Sequence, residues 1–276
     1  MGKKLLLVLL ALMLLLSMTA CSSPEQTTEP TEEPGEGLSE AATVVEGKFT
    51  VGFDQNFPPM GFVDDQGEFT GFDLDLAAEV ADRLELELVL QPIAWDAKDM
   101  ELSAKNIDCI WNGFTINGRE DGYTWTTPYM SNNQVFVVRA DSGITSFGDL
   151  AEKTVIVQAD SSAEAALADR PDLVDTFGDY ITAADYNSAL MDLESGAVDA
   201  VAMDDTVANY QIEKRGDNFV VLEEVFAEED YGVGFLLGNE ALRDLVQATL
   251  EEMAADGKLA EISEVWFGKD ITTIGK

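Results

Sequence analysis

The fold is decided by residues 48–93, which read KFTVGF at 48–53, FDLDLAAEVADRL at 72–84 and LELVLQPI at 86–93. The first and last segments are rich in β-forming residues, so each predicts a strand. The middle segment repeats apolar residues at helical spacing and predicts a helix, with acidic residues in its first turn favouring the helix dipole. A strand, a helix and a strand in this order predict an α/β fold with mostly parallel sheets.

The rest of the chain continues the alternation of strands and helices. A capping box at 161–164 (SSAE) predicts the start of a helix. Further strands are predicted at 107–111, 134–139, 155–157, 180–182, 199–203, 219–222 and 231–237, and further helices at 97–104, 188–195, 205–214, 240–256 and 259–267. Two α/β series followed by a C-terminal return predict two lobes joined by two crossing strands.

The N-terminal segment 1–20 is typical of a secretory signal peptide. Lys3 and Lys4 form a positive region, and residues 5–16 form an apolar run that is too short to span a bilayer. Small residues lead into Cys21, as in the lipobox of bacterial lipoproteins. We therefore predict cleavage before Cys21, lipidation of that cysteine and attachment to the extracytoplasmic face of the cell membrane. The alternative is an ordinary secretory signal with an incidental cysteine.

The lipidated cysteine begins an acidic segment at 21–47 that contains prolines and glutamates but no aromatic or basic residue. Such a composition predicts a disordered, self-repelling tether. The folded body would follow from residue 48. Cys109 remains as a single thiol within an apolar run, and we predict that it is a buried core residue.

Composition excludes several classes of function. The chain has 276 residues, 53 acidic against 16 basic side chains, a formal charge of −37 and no His. Such an acidic chain repels nucleic-acid backbones, and without His it lacks Ser-His-Asp catalysis and His-ligated zinc. We predict no nucleic-acid partner, no metal and no cofactor.

Five segments, taken in order, resemble the polar amino-acid class of bacterial extracellular solute-binding proteins that serve ABC importers. They are GFDLDLAAEVADRL at 71–84, IDCIWNGFTINGRE at 107–120, SGAVDAVAMDDTVANY at 195–210, YGVGF at 231–235 and AADGKLAEISEVWFG at 254–268. The resemblance covers roughly residues 48–270.

The resemblance implies a two-lobed periplasmic-binding-protein fold of type II, with one amino acid held in the cleft between the lobes. Lobe 1 would comprise 48–132 plus 231–276, and lobe 2 would comprise 133–230. The implied function is capture of a polar amino acid and delivery to an ABC transporter permease by a monomer that is not an enzyme.

The ligand carboxylate needs a cation, and Arg binds carboxylates bidentately. By resemblance we assign Arg119 to this role, assisted by Asn112, Gly113 and Thr115 of the preceding turn. The loop between Thr115 and Arg119 is one residue shorter than the common family pattern. The remaining arginines are expected on polar helix faces or, for Arg139, in a structural role; these are Arg83, Arg139, Arg170, Arg215 and Arg243.

The ligand ammonium needs a carboxylate, and the resemblance assigns Asp204 to it. The alternative for Asp204 is a helix N-cap, and Asp205 is expected to point away. Across the cleft, Ser162 is expected to reach the ligand carboxylate, whereas Ser161 caps a helix. Asp160 stands where the family often has Gly and would add an anion near the cleft.

Three residues at the ends of strands are assigned to the ligand side chain. Phe57 and Trp95 match positions where family members enclose the side chain between aromatic rings, and Asp54 matches an acidic residue that faces a polar or cationic tip. The alternative for both aromatics is a place in the core. Trp111 adjoins the carboxylate turn and is assigned to neither pocket nor core.

Two other functions remain as alternatives. The fold also carries extracytoplasmic dehydratases, but an enzyme needs an acid or base of tuned pKa, and no paired acids stand out in the sequence. A ligand-sensing receptor protein would need a transmembrane segment after the body. Asp54 and Asp160 favour neutral polar or cationic ligands over acidic ones.

Overall fold

The computed structural model describes residues 43–276. The predicted signal peptide, Cys21 and most of the predicted tether therefore lie outside the described residues. The end of that tether differs from the prediction, because residues 43–47 contact the folded body. The Val44 N–H donates to Asp108 Oδ1 at 2.5 Å, and the Lys48 N–H donates to the Val45 carbonyl at 3.0 Å.

Fourteen strands are described within residues 43–276. They are β1 (Lys48–Phe53), β2 (Asn56–Phe57), β3 (Gly61–Val63), β4 (Phe69–Thr70), β5 (Glu87–Pro92), β6 (Cys109–Ile110), β7 (Tyr123–Trp125), β8 (Met130–Arg139), β9 (Thr154–Gln158), β10 (Asp179–Ala183), β11 (Ala200–Asp204), β12 (Phe219–Val221), β13 (Ala227–Tyr231) and β14 (Gly234–Leu236).

Eight α-helices connect and cover these strands in the described part of the chain. They are α1 (Phe72–Arg83), α2 (Lys98–Ser103), α3 (Ser162–Ala168), α4 (Pro171–Val174), α5 (Tyr186–Ser195), α6 (Asp205–Arg215), α7 (Glu240–Asp256) and α8 (Lys258–Phe267). The helix predicted at 72–84 is confirmed and buries Phe72, Leu76 and Val80. Helix α5 begins two residues before the predicted start and ends at Gly196 in the left-handed conformation, as is common for a helix C-terminus.

Two large sheets define the two lobes. The sheet of lobe 1 has the strand order β5-β1-β6-β14-β7, and that of lobe 2 has the order β10-β9-β11-β8-β12, with β13 also paired to β8. In each sheet the first three strands are parallel, and β14 or β8 then runs antiparallel to its neighbours. Strand β1 lies between β5 and β6 and is buried along nearly its whole length, as expected for a central parallel strand covered on both faces.

The chain crosses between the lobes twice. It leaves β7 and enters β8 at Met130, and it leaves β13 at Tyr231 and enters β14 at Gly234. The single strand predicted at 231–237 is therefore wrong, since Tyr231 belongs to one sheet and Gly234 to the other. A Cβ at residue 234 would lie 2.7 Å from the Phe114 ring, so this return strand packs closely against lobe 1 and requires glycine.

The predicted place of Cys109 is confirmed, and the position of Trp111 is settled. Both side chains are fully buried in the hydrophobic core. The Trp111 ring lies 6.2 Å from that of Tyr129, between ring centroids. Trp111 therefore belongs to the core.

Candidate functional site

Polar and aromatic side chains from both lobes meet across the cleft. Asp54 Oδ2 accepts a hydrogen bond from Gln158 Nε2 at 2.8 Å, and Asn187 Nδ2 donates to Asn56 Oδ1 at 3.4 Å. The Phe57 ring lies 5.8 Å from that of Tyr186, between centroids. The lobes are thus in contact at the carboxyl ends of their strands, where open α/β sheets bind ligands.

The turn after β6 is held rigidly by lobe 1. Asn112 Oδ1 accepts from the Asp54 N–H at 2.9 Å, and the Gly113 N–H donates to Asp73 Oδ2 at 2.6 Å. Gly113 has φ +56°, and a Cβ there would lie 2.9 Å from the Phe57 ring. The predicted ligand-binding N–H of Gly113 therefore already has an acceptor within the protein, and Asn112 and Gly113 shape the turn.

The Asp73 carboxyl holds this turn in place through its hydrogen bond from the Gly113 N–H. It is fully buried on α1, where the sequence suggested only an interaction with the helix dipole. Burial raises the pKa of its carboxyl from 3.8 to about 7, against the lowering effect of hydrogen bonds from Gly113 and Tyr129. A buried carboxyl that binds the turn directly fixes the position of the residues that follow it.

Arg119 lies at the mouth of the cleft and reaches lobe 2. Its Nη1 donates to the Thr115 carbonyl at 3.4 Å and its Nη2 to the Asp160 carbonyl at 3.3 Å. The guanidinium carbon lies 5.4 Å from the centroid of the Phe114 ring, a cation–π distance. Thr115 is buried, whereas Arg119 is half-buried. Arg119 therefore has carbonyl and aromatic contacts but no carboxylate partner among residues 43–276.

Lys98 supplies a second cation that the sequence reasoning missed. It opens α2, is 1% exposed, and forms an ion pair across the cleft with the Asp160 carboxylate. Its Nζ also donates to the Asp160 carbonyl at 3.3 Å and lies 5.3 Å from the centroid of the Trp95 ring. In the sequence, Lys98 could have been recognised by its position directly after the turn that contains Trp95. Asp160 thus adds an anion near the cleft, as expected, and Lys98 compensates its charge.

Asp160 adopts φ +58°, the left-handed region that Gly occupies without strain. This conformation fits the expectation that a glycine commonly stands here. The carboxylate points to Lys98, while its carbonyl accepts from both Lys98 and Arg119. Lys98, Arg119 and Asp160 together line a surface depression at the cleft mouth.

The three residues assigned to a ligand side chain lie on the cleft side of lobe 1 or beside it. Asp54 is 4% exposed, and burial raises the pKa of its carboxyl. Phe57 and Trp95 are also buried. The Trp95 ring packs edge-on to Phe114 at 5.5 Å between centroids, so one face of Trp95 belongs to a small core cluster of lobe 1. The two aromatic residues are not stacked on each other and face different neighbours.

Asp204 stands at the end of β11, in the N-cap position of α6, but its side chain forms no capping hydrogen bond. Its Oδ1 accepts instead from Asn132 Nδ2 at 2.9 Å, Gln134 Nε2 at 2.8 Å and the Tyr231 hydroxyl at 2.6 Å. The N-cap alternative is therefore wrong for its side chain. Asp205, the neighbour set aside in the sequence, accepts from Asn133 at 2.8 Å.

Glu229 pairs with Asp204, although the two are far apart in the sequence. Glu229 Oε1 accepts from Asn132 Nδ2 at 2.6 Å and from Gln134 Nε2 at 2.8 Å, the same two donors that serve Asp204. Burial, followed by the charge of Glu229, raises the pKa of Asp204 well above its ordinary value. No paired acids stand out in the sequence, because this pair forms only when β11 and β13 flank β8 in the folded sheet.

Ser161 and Ser162 begin α3 with different partners. The predicted capping box is half formed, since Ser161 Oγ accepts from the Glu164 N–H at 3.1 Å but the Glu164 carboxylate accepts from the Asp160 N–H at 2.6 Å. Ser162 Oγ accepts from Gln134 Nε2 at 3.0 Å. Ser162 is thus joined through Gln134 to the same polar cluster as Asp204.

The structure therefore brings together charges of both signs. Lys98 and Arg119 lie toward the cleft mouth on lobe 1, and Asp204 with Glu229 lies on lobe 2 beside the crossing strands. The residues that the sequence missed are Lys98, Asp73, Asn132, Gln134, Tyr186 and Glu229. Within residues 43–276, none of the helices is both long and apolar enough to cross a bilayer.

Known proteins share this sequence and architecture. A family model described as bacterial extracellular solute-binding proteins, family 3, matches residues 49–269. The L-cystine-binding protein TcyJ of Escherichia coli (strain K12) is 34% identical over 229 residues, which cover 82% of this chain and 85% of TcyJ. The ABC transporter arginine-binding protein 1 of the same organism is 27% identical over 225 residues, covering 80% of this chain and 90% of that protein.

A solved structure has the same fold. An ABC uptake transporter substrate binding protein from Streptococcus pneumoniae with bound histidine matches with a TM-score of 0.81 and 34% identity, over 84% of this chain and 96% of that chain. The predicted two-lobed fold of type II is confirmed. The chain belongs to family 3 of the bacterial extracellular solute-binding proteins.

Proposed function

We propose that this protein captures a polar amino acid between its two lobes and delivers it to the permease of an ABC importer. The observation that carries the proposal is the separation of charge across a largely buried cleft, with Arg119 and Lys98 at one end and Asp204 with Glu229 at the other. A free amino acid carries a carboxylate and an ammonium, and each needs an oppositely charged or hydrogen-bonding partner once water is excluded.

In this proposal the ligand carboxylate binds the Arg119 guanidinium, with Thr115 and Ser162 beside it, and the ligand ammonium binds Asp204. Asn112 and Gly113 hold the turn that presents Thr115 and Arg119. This arrangement places a residue of each lobe on each ligand, so the amino acid stabilises contact between the lobes.

The ligand side chain would lie beside Phe57, Trp95 and Asp54. The acidic character of Asp54 favours a neutral polar or cationic side chain. The named relatives bind L-cystine and arginine, and the S. pneumoniae protein was solved with histidine. These ligands carry cationic or additional polar groups, which supports the same class for this chain.

We further propose that Cys21 is lipidated after removal of residues 1–20 and holds the protein, as a monomer, at the extracytoplasmic face of the cell membrane. The lipobox-like sequence before Cys21 supports this anchor. Substitution of Cys21 by Ser should release the protein from the membrane fraction into the medium or periplasm, with amino-acid binding unchanged.

A thermal-shift panel of the common amino acids and cystine tests the main proposal. A ligand present at 100 times its Kd adds about 2.7 kcal/mol to the free energy of unfolding, which gives a clear rise in Tm. Calorimetry should then give one site per chain for the ligand that raises the Tm most. If no polar amino acid raises the Tm or gives a binding isotherm, the proposal is wrong.

An enzyme is the second candidate, and one observation favours it. Asp204 has a raised pKa beside a second carboxylate, which is an arrangement suited to general acid catalysis. The named relatives are an L-cystine-binding protein and an arginine-binding protein of an ABC transporter, and this supports a non-enzymatic role. Incubation with prephenate-like acids distinguishes the two, because an enzyme yields product and a transport protein yields only binding.

A further inference from the structure

We infer that Glu229 is a second binding residue at the amine end of the cleft, and that Asp204 and Glu229 share one proton until a positively charged amine displaces it. This inference rests on the proposed function and specifies one end of the same site. Neither the sequence pattern nor the described relatives indicate a binding role for Glu229.

The geometry places the two carboxylates against the same donors. Asn132 Nδ2 lies 2.9 Å from Asp204 Oδ1 and 2.6 Å from Glu229 Oε1, and Gln134 Nε2 lies 2.8 Å from each of these oxygens. Asp204 is 2% and Glu229 6% exposed. Two ionised carboxylates in such a place repel strongly, and they are stable only with a proton or a cation between them.

Two buried polar atoms beside the pair have no hydrogen-bond partner among residues 43–276. They are Gln134 Oε1, on the amide whose nitrogen donates to both carboxylates, and the Tyr186 hydroxyl. The charges of Asp204 and Glu229 both act on Tyr186 and, after burial, raise the pKa of its hydroxyl. An unpartnered acceptor and an unpartnered hydroxyl next to paired acids indicate that a further group with N–H donors belongs there.

An ammonium group fits this set of acceptors. It has three N–H donors and no acceptor, and the cluster offers one oxygen each from Asp204, Glu229 and Gln134. With the amine in place, Asp204 gives up its proton to solvent, and both carboxylates become acceptors. The binding step therefore consumes a cationic amine, forms no covalent bond and releases one proton.

The other charged groups near the pair do not take this role. Glu228 and Asp230 alternate to the other face of β13, where Glu228 is exposed and Asp230 accepts from Ser131 at 2.8 Å. Asp205 accepts a hydrogen bond from Asn133, and Asp54 accepts one from Gln158. In the described part of the chain, the donors to the pair are the amides of Asn132 and Gln134 and the Tyr231 hydroxyl.

The direction of the pH dependence follows from this exchange. The pKa of Asp204 is raised in the ligand-free protein, and a bound amine lowers it, so binding releases a proton wherever free Asp204 is protonated. Affinity for an amino acid should then rise with pH by up to about tenfold per unit across that range. In Glu229→Gln the repelling charge is gone but Asp204 stays buried, so the slope should be smaller than in the natural protein.

Calorimetry with L-arginine in phosphate and in Tris at pH 6.5 counts the released protons, because the two buffers differ in ionisation enthalpy. We expect about one proton for the natural protein and for Glu228→Gln, a matched control on the exposed face of β13, and a clearly smaller number for Glu229→Gln. Equal proton release by Glu229→Gln and the natural protein would overturn the inference, as would no release by the natural protein.

A ligand-free measurement keeps this inference separate from the proposed function. Infrared difference spectra at pH 6.5, in which the bands of other protonated carboxyls such as Asp73 cancel, should show that a protonated-carboxyl band is lost in Asp204→Asn, weakened in Glu229→Gln and retained in Glu228→Gln. If no amino acid binds, the proposed function fails while this band still decides whether the proton is shared. Persistence of the band in both variants would refute the shared proton.

Discussion

Replacement of Arg119 by Ala tests the assignment of the ligand carboxylate most directly. Arg119 spans from Thr115 to the Asp160 carbonyl and has no carboxylate partner among the described residues, so its charge is available to a ligand. Removing it should leave a ligand carboxylate in a closed cleft without its bidentate donor. We expect the variant to fold, because the Arg119 side chain is held by two long hydrogen bonds to carbonyls and one aromatic neighbour.

The magnitude follows from burial. Removal of one partner from a buried charge pair typically costs about 2–5 kcal/mol of binding free energy. Arg119 is half-buried at the cleft mouth, so its loss belongs at the lower end of this range. At 1.4 kcal/mol per decade, a loss of about 2 kcal/mol weakens binding roughly 30-fold. Arg119→Lys should also lose affinity, because a single ammonium does not reproduce the planar fork.

Titration calorimetry with the amino acid that gives the largest thermal shift measures the effect, and the Tm of the ligand-free variant checks folding. Arg243 is a poor control, since it was expected on a solvated surface but its Nη1 donates to the Trp125 carbonyl at 2.6 Å. Arg170→Ala is the better control. Among residues 43–276, the Arg170 side chain pairs with Asp172 alone, at 3.2 Å at the start of α4, and its replacement should leave amino-acid binding normal.

Lys98 is the other cation that could bind the ligand carboxylate. If Arg119→Ala keeps natural affinity while Lys98→Met loses it, the ligand carboxylate displaces Asp160 from Lys98 and does not use Arg119. That result would refute the assignment of Arg119 and would trace the error to the shortened loop. Loss of affinity in Arg119→Ala alone supports the assignment.

Three further predictions concern the fold, its motion and its selectivity. The pKa of Asp73 is raised to about 7, so its protonated carboxyl stabilises the fold below the unfolded pKa, and this contribution is lost as the pH rises toward 7. In Asp73→Asn, the free energy of unfolding measured with urea should therefore lose up to about 4 kcal/mol of its pH dependence. An unchanged pH profile would contradict this prediction. Ligand should bring the lobes together about the crossings at 126–129 and 232–233, which small-angle scattering detects as a smaller radius of gyration; no change at saturation would exclude a hinge there. Glutamate should bind more weakly than glutamine in calorimetry, since its second carboxylate meets Asp54 and the Asp204–Glu229 pair, and tighter binding of glutamate would refute this.

The sequence predicted most of the fold because its signals are local. The apolar spacing from Phe72 to Val80 and the alternation of strands with helices depend on neighbouring residues, and both appear in the structure. The prediction of a single strand at 231–237 was wrong because the signal there is not local. Apart from two glycines its residues are aromatic or apolar, but the change of sheet at Gly232 is set by packing against lobe 1, which local spacing does not encode.

The site was predictable only where a residue stands at a strand end. Asp204 and Arg119 follow strands, and the sequence placed both near a cleft. Glu229 and Gln134 lie within strands, and they approach Asp204 only because β11 and β13 flank β8 in the same sheet. Lys98 resembled one more charge on a helix, and its burial depends on Asp160 from the other lobe.

The proposed amine end of the cleft is built from the two strands of lobe 2 that adjoin the crossings between the lobes. Asn132 and Gln134 stand two and four residues after Met130, where β8 begins, and Glu229 stands two residues before Tyr231, where β13 ends. We expect a side-chain change there to alter both the contacts to an amine and the ease with which the lobes turn. The measured Kd then combines intrinsic affinity with the fraction of molecules in the binding-competent arrangement. We therefore expect that variants designed to change the ligand at this end will also change how readily the bound amino acid is released.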